Sequence, residues 1–137
     1  MAWLTTDKRR DIGLLFMRVG IGVMFIAAHG LPKLMGGPKQ WEVVGGAMAY
    51  LGFTALPALW GLLATLAELV GGFLLIIGKW VRPAAAAMLA TMLVAASMYL
   101  IKGEGFFAAS RPIEMAIFFV GLIFLGGGKY GIDGGRG

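Results

Sequence analysis

Four long apolar runs, broken by glycine, proline and scattered charge, dominate the chain: 12–28, 59–77, 84–101 and 113–125. The middle two reach 19 and 18 residues, close to the ~20 that cross a hydrocarbon core at helical rise. The first continues through His29, and the last, only 13 residues before Gly126-Gly127-Gly128, is short enough to fray or to thin the bilayer locally. Pro83 and Pro112 stand where first helical positions would be, and Gly78 and Gly126 where helices would stop. The predicted spans are therefore 12–29, 59–77, 84–101 and 112–126. Between the first two, Trp41, Val44, Met48 and Leu51 recur at helical spacing. That stretch predicts a short interfacial helix on the outer leaflet. The fold class expected is all-α: an integral membrane four-helix bundle carrying one interfacial helix.

Composition agrees and narrows the chemistry. Hydrophobic residues make up 59% of the 137 positions and charged residues 14%, against about 25% charged in a soluble domain. One transmembrane domain over 1–137 is the reading. Without cysteine there is no disulfide, thiol chemistry or Cys-ligated cluster. One histidine excludes a bis-His haem within the chain, and no metal site is expected. The net charge of +5 comes from basic residues scattered between apolar runs. It points to anionic lipid at helix ends, with no nucleic-acid partner. Seven Lys and Arg fall with the termini and second loop, against four in the first and third loops. The positive-inside rule then favours cytoplasmic termini. No cleavable signal is read in the first run, which carries an arginine.

Arg18 and Glu68 stand inside apolar spans, where an ionised side chain costs a few kcal/mol unless paired or solvated. Arg18 lies ten residues before Ala28 and Glu68 nine after Leu59, depths of ~15 Å and ~14 Å at helical rise. Matching depth on adjacent antiparallel helices predicts an Arg18–Glu68 ion pair. Arg18, Gly22, His29 and Lys33 share one helix face, and Gly61, Thr65, Glu68 and Gly72 another. Small residues on both let the two helices approach closely. A second polar group, His29, Lys33, Ser97, Tyr99 and Glu114, falls toward the outer ends of the spans. Each has a plainer role: a clamp for the ion pair, an interfacial position for His29, and snorkelling for Lys33. Catalytic residues are not identifiable.

Several segments in order carry a resemblance. Leu14-Leu15-Phe16-Met17-Arg18, His29-Gly30-Leu31-Pro32-Lys33-Leu34, the run from Glu68 to Gly78 with Arg82-Pro83-Ala84, Glu114, and Gly126-Gly127-Gly128-Lys129-Tyr130-Gly131-Ile132-Asp133 together resemble the DoxX family of small prokaryotic membrane proteins. The likeness runs from about residue 12 to 133. It implies a four-helix protein of the prokaryotic cytoplasmic membrane, associated with quinone-linked oxidoreduction. In that setting the chain serves as a membrane subunit that binds quinone or anchors a redox partner. His29, Lys33, Tyr99 and Glu114 are the candidate quinone or ligand-binding groups, since an apolar slot needs polar groups at its head. No covalently bound cofactor is expected. The partners are lipid and membrane or peripheral redox subunits, with a homo-oligomer left open. The alternatives are a non-catalytic assembly or stabilising subunit, and a small transporter using Arg18, Glu68 and Glu114. The glycine-rich ending departs from the pattern and reads as no further domain.

Overall fold

A computed structural model describes residues 6–134, and every regular element among them is helical. Helix α1 (Thr6–Met24) passes through a π-helical turn, Phe25–Gly30, into α2 (Leu31–Met35). Helix α3 (Gly37–Gly45) and a 3-10 turn (Gly46–Leu51) follow. Helices α4 (Pro57–Ile77), α5 (Val81–Ile101) and α6 (Phe106–Leu125) complete the chain. Four stretches are long and apolar enough to cross a membrane: Asp7–Met35, Pro57–Ile77, Val81–Ile101 and Phe106–Leu125. The protein is a multi-pass membrane protein. Phe16, Phe107 and Phe124 are 79%, 92% and 80% exposed, as expected where lipid is the solvent.

All four spans exceed the apolar runs, the first and last by most, and each of those two carries a proline inside it. The first continues to Met35, seven residues past Ala28. Pro32 cannot donate a hydrogen bond, and its ring crowds the carbonyl four residues back. The helix accommodates it by widening, so that Leu31 N–H reaches Ile26 O in the π pattern. The last span starts at Phe106, placing Pro112 inside the helix and not at its first position. The proline's missing N–H leaves the Ala108 carbonyl, in the first turn of α6, without a helical donor; nearby the Ser110 hydroxyl donates to Phe107 O at 2.7 Å. With 20 residues, this span needs no thinning of the bilayer. Pro83 is likewise the third residue of α5, still in the turn whose N–H groups lack helical partners.

Helix α4 is the hub, packed against α1, α3 and α5, while α6 packs on α5. The expected small-residue faces meet only in part, at Gly22 and Gly72, where a Cβ on Gly22 would lie 2.5 Å from Gly72 O and one on Gly72 2.9 Å from Gly22 O; Gly61 meets α3 instead, and His29 is exposed. The Trp41–Leu51 segment is helical as expected, and it is docked on α4. A Cβ on Gly61 would run into the Trp41 carbonyl, and one on Gly45 into the Pro57 carbonyl. The Cα atoms of α1 and the π turn nowhere come within 8 Å of those of α6. Phe25 and Phe119 bridge that seam edge to face, with centroids 5.4 Å apart.

Gly61→Ala should therefore lower stability by roughly 1–3 kcal/mol, the usual range for overpacking, because two backbones must separate. Gly20→Ala, where a Cβ meets nothing within 4 Å, is the matched control. Equal melting temperatures in detergent for the two variants would contradict the close α3–α4 crossing.

Candidate functional site

The buried charges occupy two separate places. Arg18 is fully buried. Its Nη1 donates to Leu75 O at 2.9 Å and its Nη2 to Tyr130 O at 2.6 Å. The second acceptor belongs to the segment after α6, which folds back under the bundle. There Lys129 N–H donates to Asp11 Oδ1 at 3.2 Å, Ile132 N–H to Ile77 O at 3.0 Å, and Trp80 N–H to Asp133 Oδ2 at 2.7 Å. The glycines of this segment permit the approach: a Cβ on Gly131 would lie 2.5 Å from Gly78 O. Arg18 thus fastens α1, α4 and the segment after α6 together at the end of the bundle where α4 and α6 stop.

Glu68 belongs elsewhere. Its two carboxylate oxygens each accept from Lys33 Nζ at 2.9 Å, and its side chain is 1% exposed. The Arg18–Glu68 pair expected from depth is not formed. The depth count took Ala28 and Leu59 as level, whereas the first helix runs on to Met35. With Gly22 opposite Gly72, Arg18 falls opposite Leu75, seven residues from Glu68 along α4 and so ~10 Å away at helical rise. The same extension carries Lys33, from one turn beyond His29, over Glu68. Lys33 is held from behind as well, because Trp41 Nε1 donates to its carbonyl at 3.0 Å. Thr65 turns its hydroxyl back to Gly61 O at 2.8 Å. Such a pair differs in kind from Lys102–Glu104 at 2.9 Å. There the carboxylate's hydrogen bond raises the Lys102 pKa, but solvent screens the pair and it contributes little stability.

The outer polar group is not assembled into one cluster. Lys33 is engaged by Glu68. His29 is exposed, its ring tilted by 38° against Phe25 with centroids 5.1 Å apart. Tyr99 is half-buried near the end of α5, and Ser97 donates to Leu93 O within its own helix. Glu114 is exposed. It precedes Phe119, the residue that meets the first span, by five positions, hence about 140° round the helix. It therefore points to the outside and away from His29. No hydrogen bond or ion pair among the described residues joins any two of His29, Lys33, Tyr99 and Glu114. Among the described residues no group of three His, Asp or Glu is placed to hold a metal ion.

Sequence reasoning missed the roles of Asp11, Tyr130 and Asp133, all of them partners within the closure at the terminal end. The available signal was a glycine-dense ending with one acidic residue, a composition suited to backbone lying on backbone. Comparison with known families returns the DoxX model, matching residues 13–102. Glu114 and the C-terminal segment lie beyond the matched stretch. Neither the curated proteins nor the solved structures return a match.

Proposed function

Because the chain belongs to the DoxX family of membrane proteins, by a match that covers most of its length, we propose that it is the membrane subunit of a quinone-linked oxidoreductase complex, acting at its perimeter. The observation that carries this reading is how the ionisable groups divide. Arg18, Glu68 and Asp11 are buried and engaged inside the bundle: the two terminal nitrogens of Arg18 by carbonyls, though its Nε has no partner among the described residues, Glu68 by Lys33, and Asp11 by a tail amide. Groups so engaged cannot exchange partners with a passing solute without loosening the fold, which weighs against the small transporter. His29, Arg111 and Glu114 face outward from the spans. Polar groups at membrane depth usually meet a partner, so the working surface is the outside of the bundle.

His29 is the quinone contact in this reading. Its ring nitrogen donates to a quinone carbonyl, while the buried Phe25 ring behind it fixes where the imidazole sits. In this reading electrons come from a partner enzyme, since the sequence carries no recognisable flavin or haem motif. The complex, isolated in mild detergent and extracted, should contain quinone together with a coloured partner. His29→Phe should lower quinone per complex roughly tenfold, the scale of one lost buried hydrogen bond, at unchanged complex yield. Equal quinone content in parent and variant rejects His29 as the contact. A redox partner without quinone leaves the plain assembly subunit as the answer, and neither component rejects the proposal as a whole.

The same reading places both termini in the cytoplasm of a prokaryotic cell and α3 outside. Single cysteines report this cleanly, because the chain has none. Lys39→Cys should be labelled from outside intact cells and Ala2→Cys protected. The reverse pattern inverts the orientation.

A further inference from the structure

We propose that the outward side of α6 is a homodimer interface in the membrane, closed by reciprocal Arg111–Glu114 ion pairs between two copies of the chain. The inference rests on α6 alone and does not depend on a redox partner.

Glu114 sits eight residues into α6, ~12 Å along a span that needs ~30 Å to cross the hydrocarbon. A glutamate side chain is too short to reach the headgroups from there, and an unpaired carboxylate facing lipid is costly. Arg111 lies one turn nearer the end of the helix, also exposed. The two are neighbours on the helix surface, yet no ion pair joins them within the chain. Arginine three residues ahead of glutamate is the less favourable order for pairing along one helix. Each charge therefore needs a complement from outside, and the required partner must present both signs.

The spacing around them identifies that partner. Phe107, Arg111, Glu114, Phe118, Gly121 and Leu125 follow one another at intervals of four, three, four, three and four. This is the a/d repeat by which a helix packs along its length against another like itself. Phe107 is 92% exposed and Leu125 56%, so the two ends of the stripe are uncovered, while Phe118 between them is half-buried at its edge, leaning on the core beside Phe119. A Cβ on Gly121 would meet nothing within 4 Å, which leaves a flat place where helices can cross closely.

A two-fold axis along the membrane normal sets like residues at like depth and makes the surface complementary to itself. Arg111 of one copy then reaches diagonally to Glu114 of the other across an axial step of ~4.5 Å, within the span of an arginine side chain. The pairing occurs twice. A redox protein or a lipid would have to match this heptad stripe by coincidence, whereas a second copy matches it by symmetry.

The test uses the full chain in mild detergent and in bilayer nanodiscs, with mass measured in solution. The parent is expected to be a dimer. Glu114→Arg gives a stripe with two positive charges and Arg111→Glu one with two negative charges. Each alone should self-associate about a hundredfold more weakly, as like charges oppose one another. Mixed in equal amounts they should recover a mixed dimer, because every facing pair is then of opposite sign. Both positions are exposed, so helix content and monomer melting should match the parent. Leu125→Cys, in a chain otherwise free of cysteine, should form a disulfide between copies. The proposal is overturned by a monomeric parent, by single variants as dimeric as the parent, by failure of the mixture to form the mixed dimer, or by Leu125→Cys linking only to a different protein.

Discussion

Lys33→Ala is expected to lower stability by roughly 3–5 kcal/mol, the cost of leaving a buried charge without its partner. The stranded group is Glu68, 1% exposed and bonded to Lys33 through both oxygens. Glu68→Ala should be the milder change, because the Lys33 side chain is 24% exposed and its ammonium can swing toward the headgroups. Replacing both, as Lys33→Met with Glu68→Leu, should recover most of the loss, since apolar residues of similar volume suit a buried pair's position. Thermal melting in detergent of the two alanine singles and of Lys33→Ala combined with Glu68→Ala gives the coupling directly. Additive losses would mean that the two side chains do not share a bond in the folded protein.

Arg18→Ala should be comparably severe, at roughly 3–5 kcal/mol, because it combines a large cavity with lost charge-assisted hydrogen bonds. The carbonyls of Leu75 and Tyr130 would both lose their donor. Its signature differs from that of Lys33→Ala. The segment after α6 loses one of its several fastenings, at Tyr130 O, so trypsin should cleave after Lys129 faster than in the parent. Arg18→Lys should fall between, because a single ammonium cannot reproduce the guanidinium fork across two carbonyls. Arg18 and Glu68 share no partner, so their alanine replacements should add within about 0.5 kcal/mol. Unchanged cleavage at Lys129 in Arg18→Ala would remove Arg18 from the closure of the bundle.

The two predictions mark where sequence reasoning succeeded and where it failed. That Arg18 and Glu68 had to be satisfied inside the protein was legible from their position in apolar runs, because the bilayer supplies no substitute for water. Which groups satisfy them was not legible. The register between α1 and α4 depends on where the first helix ends, and a π turn at Phe25–Gly30 carried it past Pro32. A shift of two turns exchanged the partner of Glu68 from Arg18 to Lys33.

Sequence alone determined the membrane solvent, the four spans and their all-helical character, and the facing of Gly22 toward Gly72. Each of these follows from local properties: run length against bilayer thickness, the obligation to pair backbone groups internally, and small side chains along one helix face. Only the tertiary structure decided that the last span begins before Pro112, that the C-terminal glycines lie under the bundle against Gly78, and that Glu114 points away from His29. Those outcomes depend on axial register and rotation between helices far apart in sequence. A run of apolar residues does not encode register, because sliding or turning one greasy helix against another changes little until a charge, a proline or a glycine must find its place.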